Sequence, residues 1–201
     1  MTAPVCPMCA GAHLTGAKVF TATVTNTGPA VMSKRTATIA LAAATLLMMG
    51  TAASASTREV VRYNAEVQPG TIVVKTAERR LYLVLGDGQA LRYIVAVGRP
   101  GKQWQGKAQV NGKYVQPAWT PPAEVKADNP ALPDVIPGGA PNNPMGVAAM
   151  TLSGGEYAIH GTNKPESIGK FASYGCIRML NQDITDLFER VDVGTQVVVL
   201  R

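Results

Sequence analysis

Cysteine and histidine are both scarce: the 201 residues contain three cysteines and two histidines. That scarcity excludes a disulfide-stapled scaffold and leaves little from which to build a cysteine/histidine metal centre. Long apolar runs are missing too. The most apolar stretch, Thr36 to Met49, covers about 14 residues, short of the roughly 20 that a spanning helix needs. Lys and Arg are scattered rather than blocked, and a formal charge of +6 gives no footprint for a nucleic-acid groove.

The apolar stretch has a different explanation. Met32-Ser33-Lys34-Arg35 supplies a basic start, Thr36 to Met49 an apolar centre, and Ala53-Ser54-Ala55 a small-x-small cleavage site, the three parts of a signal peptide. The pattern predicts an exported protein cut after Ala55, with residues 32–55 removed and no stable membrane span. Residues 1–31 are out of place before such a segment and read as a mis-assigned start or a dispensable leader. They hold Cys6, Cys9 and His13, three candidate ligands with no fourth, so no metal or redox site is assigned there. The mature chain would run from Ser56 to Arg201, about 146 residues, enough for one domain with its own core. It keeps 16 of the 19 basic residues and all 13 acidic ones, a net +3 that suits an anionic polymer only mildly.

Within the mature part no repeat or low-complexity tract appears. Residues 56–70 form a polar lead-in to a domain over 71–201. Thr71 to Thr76 and Arg80 to Leu85 are β-branched or aromatic runs joined by a short connection, and Gly86-Asp87-Gly88 signals a turn before a third run, Ala90 to Val97. Three such runs predict an antiparallel meander whose second strand, apolar on both faces, is central. Gly98 to Gly146 is rich in Pro and Gly and reads as long ordered loops, with Trp104 and Trp119 as packing residues or walls of a cleft. Short strands are expected at Gly146 to Leu152, Tyr157 to His160 and Gln196 to Leu200. Between the last two, Asn181 is the expected N-cap of one helix, with Ile184, Leu187, Phe188 and Val191 as its apolar stripe. The fold class is therefore mainly β with one late α-helix.

The mature chain has one cysteine, Cys176, and one histidine, His160, 16 positions apart. A lone exported thiol is either a buried inert side chain or a reactive group. A thiol attacks a carbonyl as thiolate, and a nearby imidazole can take its proton and return it to a leaving amine, so this pair suffices for acyl transfer. The spacing is too long for a helical contact. The two meet only if His160 ends a strand and a loop folds Cys176 back beside it, which Gly161, Gly169 and Gly175 permit.

The stretch His160-Gly161-Thr162-Asn163 followed by Ser173-Tyr174-Gly175-Cys176-Ile177-Arg178-Met179 resembles the signature of the L,D-transpeptidases of the YkuD type. The resemblance extends less sharply from about Gly70 to Arg201 and includes the Pro-Asn-Asn-Pro-Met-Gly segment at Pro141 to Gly146. It implies a β-sandwich-like mixed fold in the bacterial periplasm that acts on peptidoglycan stem peptides. Cys176 would attack the bond after meso-diaminopimelate, and the acyl-enzyme would pass to an amine of another stem peptide, to an envelope lipoprotein or outer-membrane protein, or to water. Carried over residue by residue, Cys176 is the nucleophile and His160 its base, with Gly161 near the imidazole. Arg178 would hold a carboxylate or brace the loop. Ser173 would bond the base or turn the backbone. Oxyanion stabilisation falls to backbone N–H groups between Tyr174 and Cys176 around Gly175. Some members carry a second histidine where this chain has Tyr174, so His160 acts alone. Neither metal nor other cofactor is implied. Two alternatives stay open: a carboxypeptidase or crosslink-cleaving hydrolase using the same pair, and a silent peptidoglycan-binding module, which would have no need of an oxidisable thiol.

Overall fold

The structure, a computed structural model, describes residues 56–64 and 66–201. The expected leader, the signal segment and its cleavage site lie outside the described residues.

Among the described residues, chain order gives eleven strands and two α-helices. The strands are β1 Glu59–Arg62, β2 Ile72–Lys75, β3 Arg80–Gly86, β4 Gln89–Ile94, β5 Val97–Gly98, β6 Gly106–Val115, β7 Ala148–Leu152, β8 Ala158–His160, β9 Phe171–Ser173, β10 Ile177–Arg178 and β11 Gln196–Leu200; the helices are α1 Ala123–Asp128 and α2 Asn181–Arg190. Nine strands join in the order β1-β4-β3-β2-β11-β6-β7-β8-β10, and β5 pairs separately with β9. The expected meander is present: β2 to β4 pair antiparallel in succession with β3 between its neighbours. Parallel pairing of β11 with β2 and of β10 with β8 makes the sheet mixed.

β6 is the hinge of the architecture. Its first half pairs with β11 and its second half with β7, with a register shift between Val110 and Gly112. A bulge bends a strand and sharpens its twist, so one strand serves two half-sheets that face each other. The main core fills the space between them with Ile72, Leu81, Leu91 and Tyr93 from one side and Met150, Ile159 and Ile177 from the other. Ile184 and Leu187 of α2, both fully buried, close this core at roughly 1.5–3 kcal/mol each.

β7 and β8 are buried on both faces. Side chains alternate, so Met150 and Ile159 enter the main core while Ala149 and Ala158 join a second cluster with Trp119, Ile136 and Met145, against which Cys176 packs. The main core thus fixes one face of these strands, and the other packs on the second cluster beside Cys176.

Two elements depart from expectation in the Pro/Gly-rich stretch: it contains the ten-residue β6 and the short α1. β6 carries Gly, Lys, Gln and Asn on positions of weak β propensity, and only Ala108 and Val110 point its buried face into the main core. The remaining loops are ordered by Asn143, 2% exposed. Its Nδ2 donates to the carbonyls of Pro117 and Pro137, both at 2.9 Å, and its Oδ1 accepts from Met145 N–H at 2.9 Å. Asn143→Ala strands the buried Pro117 carbonyl and the buried Met145 N–H, and an unfolding titration is expected to show a loss of about 2–4 kcal/mol.

Candidate active site

The same alternation that buries Ile159 and Ile177 turns His160, Cys176 and Arg178 to the opposite face. Register places Arg178 beside His160 and Ile177 beside Ile159 on neighbouring parallel strands. Cys176 and Arg178 are two residues apart and share that face. A tight pocket of about 50 Å³ is lined by Cys176, His160, Arg178, Ser173, Tyr174 and Trp119 among others. The two ends of the sequence motif are therefore brought to one place.

His160 is 4% exposed, and its Nδ1 donates to the carbonyl of Gly161 at 2.7 Å. Since a carbonyl only accepts, Nδ1 carries the proton of the neutral ring, and Nε2 keeps a lone pair as the acceptor for an incoming proton. Burial, and after it the Arg178 guanidinium, pull the imidazole down from its ordinary value to about 3, against the carbonyls of Gly161 and Pro144, which favour the charged ring. The resting histidine is neutral across the physiological range.

Arg178 is held by its backbone, which exchanges hydrogen bonds with Ala96, both at 2.9 Å. Its guanidinium is pushed down by burial, and its buried Nε lacks a hydrogen-bond partner. It makes no ion pair among the described residues, which leaves a cation beside the thiol and imidazole ready for an anionic group.

Ser173 braces the turn that carries Cys176. Its Oγ donates to the carbonyl of Cys176 at 2.6 Å and accepts from Gly175 N–H at 3.1 Å. Gly175 has φ of +124°, a region disfavoured for other residues, and a Cβ there would collide with the Tyr157 ring. That ring stacks on Trp104, centroids 4.7 Å apart, and Trp104 Nε1 donates to the Gly175 carbonyl at 3.0 Å. Trp104 is thus a packing residue that supports the turn. Because Gly175 N–H is committed to Ser173, an oxyanion requires a different donor.

The histidine side is braced by α2. Asn181 is the first helical residue and the cap falls at Leu180, one position before the expected one. The reason is that Asn181 Oδ1 accepts from Thr162 N–H at 2.9 Å instead of capping its own helix. A Cβ on Gly161 would meet that same amide oxygen.

Tyr174 is tied to α1. Its hydroxyl donates to Asp128 Oδ2 at 2.5 Å, Arg99 pairs with the same oxygen at 2.9 Å, and the Arg99 guanidinium lies 4.0 Å over the Tyr174 ring. Lys102 pairs with Glu124. These contacts strap α1, which buries none of its residues, across the pocket. On either side lie open clefts of about 300 and 620 Å³, and Tyr174 lines both. Sequence reading missed Arg99, Asp128 and Tyr157 and gave Asn181 only a capping role, because each acts through a partner distant in the chain. Exposed ion pairs contribute little, so Asp128→Asn is expected to leave the urea midpoint nearly unchanged while speeding alkylation of Cys176 by a bulky maleimide. An unchanged alkylation rate would mean that the strap does not guard the thiol.

No group of three or more His, Cys, Asp or Glu side chains suited to a metal occurs among the described residues.

A family model for the L,D-transpeptidase catalytic domain, YkuD, matches residues 69–199. Over 135 residues the chain is 43% identical to the Escherichia coli K12 protein named "Probable L,D-transpeptidase YbiS", covering 63% of this chain and 43% of that one. The Bacillus subtilis protein named "Putative L,D-transpeptidase YkuD" is 49% identical over 61 residues, 30% of this chain and 37% of that one. The chain therefore spans less than half the length of these curated relatives. Among solved structures, an L,D-transpeptidase from Mycobacterium smegmatis aligns with a TM-score of 0.52 at 18% identity, over 65% of this chain and 58% of that one, a likeness of fold.

Proposed function

The chain belongs to the YkuD family of L,D-transpeptidase catalytic domains, and from that premise we propose that it transfers peptidoglycan stem peptides through an acyl-enzyme on Cys176. The observation that carries this reading is the convergence of Cys176, His160 and Arg178 on one face of the paired strands β8 and β10.

His160 Nε2 takes the Sγ proton as Cys176 attacks the meso-diaminopimelate carbonyl of the bond that follows it, and returns it to the departing D-amino acid. A thioester remains on Cys176. An amine of a second stem peptide, or of an envelope protein, then attacks the thioester while Nε2 accepts its proton, and the free thiol is restored. Arg178 binds a stem-peptide carboxylate through its guanidinium and favours the thiolate by its charge. Backbone N–H groups of the Tyr174 to Cys176 turn other than that of Gly175 hold the oxyanion. The two clefts flanking Tyr174 separate donor from acceptor.

The chemistry needs an extracytoplasmic polymer, and the signal pattern at residues 32–55 supports export to the periplasm. No helix among the described residues is long and apolar enough to cross a membrane.

Incubation with a disaccharide-tetrapeptide, followed by mass spectrometry, tests the assignment. Loss of the terminal D-residue together with a crosslinked dimer supports transpeptidation. Tripeptide alone points to a carboxypeptidase or to an acceptor protein absent from the assay, and unchanged substrate with no acyl adduct rules out acyl transfer from this substrate.

A further inference from the structure

Asp183 is the only buried carboxylate among the described residues, at 0% exposure, and the chemistry at Cys176 does not use it. It sits in the first turn of α2, where the helix dipole favours a negative charge. Ser56 Oγ donates to Oδ1 at 2.6 Å, Thr57 Oγ1 donates to Oδ2 at 2.6 Å, and Thr57 N–H is shared between the two oxygens at 3.1 and 3.3 Å. Every one of these donors comes from two consecutive residues, and none carries a charge.

The neighbouring cations are engaged elsewhere. Arg58 and Arg190 both pair with Asp186, which also accepts from Tyr93 on β4 at 2.6 Å, and Arg92 pairs with Glu59. Asp183 has no ion pair among the described residues. Hydrogen bonds offset part of the cost of removing a carboxylate from water, but a buried charge without a counter-charge remains expensive.

The sequence supplies a second, independent observation at the same place. Cleavage after Ala55 makes Ser56 the first residue of the mature protein. Hydrolysis of that peptide bond consumes one water and leaves a carboxylate on Ala55 and an amine on Ser56, protonated at neutral pH. The amine nitrogen is three bonds from Ser56 Oγ and three from Thr57 N, the two atoms that already touch Asp183 Oδ1.

We propose that Asp183 is a binding site for a primary ammonium, and that its ligand is the chain's own Ser56 α-amine released by processing. The proposal rests on the export reading above. It gives processing a structural consequence: the new ion pair fastens the first turn of α2, and the same turn carries Asn181, whose amide holds Thr162, two residues from His160. Export and ordering of the histidine loop are thereby linked.

The full chain is exported in a Gram-negative host, the periplasmic protein is purified, and its first residue is read by N-terminal sequencing. The rate of α-amine acylation is then followed against pH in the native protein, in the same protein in denaturant, and in Asp183→Asn. Ser56 is exposed, so reagent reaches it. The native midpoint is expected about one pH unit above the denatured one, roughly fivefold slower labelling at pH 8, with the difference abolished in Asp183→Asn. A first residue other than Ser56 overturns the cleavage boundary and the proposal together. Ser56 as first residue with equal native and denatured midpoints overturns the ion pair alone and leaves the export reading standing. The native-against-denatured comparison needs no variant, so a poorly folding Asp183→Asn does not shield the proposal.

Discussion

Cys176→Ala is expected to lower the rate of stem-peptide acyl transfer by at least about 10⁴-fold and to abolish the acyl adduct seen by intact-protein mass spectrometry. The size follows from the loss of the covalent route, since Ala leaves only binding and the backbone donors. Cys176→Ser should be nearly as inactive. A neutral His160 held down to about 3 is a weak base, and what makes the proton transfer feasible is a thiol that ordinarily ionises near 8.5 beside the Arg178 cation. An alcohol ionises far less readily, so the same imidazole cannot activate it to a comparable degree. Substantial turnover by the Ser variant would mean that the histidine is a stronger base in the loaded enzyme than at rest. Substantial turnover by the Ala variant would remove Cys176 from the mechanism.

The fold could be read from sequence where local pattern and tertiary burial agree. β2, β3 and β4 announce themselves because β-branched and apolar residues fill both faces of a central strand, and α2 because Ile184, Leu187 and Val191 form one buried stripe. β6 was hidden because its work is topological. A strand that changes partners at a bulge tolerates Gly and Asn where a uniform strand would not. α1 was hidden because nothing in it is buried, so no apolar period marks it.

At the site, the contrast lies between the residues proposed to react and the residues that hold them. Cys176 and His160 were legible because both residue types are scarce and their chemistry is specific. Asn181 and Asn143 are common polar residues whose role depends on where a distant backbone arrives: Thr162 for one, Pro117 and Pro137 for the other. Tyr174 was read by what it is not, a second histidine. Its partner Asp128 is 46 residues away, so no local pattern could assign it to the strap across α1.

The second large effect is expected in the stability of the protein on the acid side of neutrality. An unfolded histidine titrates near 6.5, whereas native His160 titrates at about 3, so between these values the unfolded chain binds one proton more than the native one. Stability is therefore complete above about pH 6.5 and falls as pH drops towards 3, by about 1.4 kcal/mol per pH unit and at most about 5 kcal/mol in all. The carboxylates held below their ordinary values, Asp186, Asp128 and Glu78, lose their contributions only below about pH 4.5. The interval from about 4.5 to 6.5 consequently reports on His160, and urea titrations across it should show the midpoint falling steadily in the native sequence and flattening in His160→Gln. A flat profile in the native sequence would place a charged or solvated imidazole in the pocket. The same depression separates two kinds of acid loss. The neutral base persists to low pH, so native enzyme that has not unfolded should keep its acyl-transfer rate down through this interval, and activity should decay only as the folded fraction does.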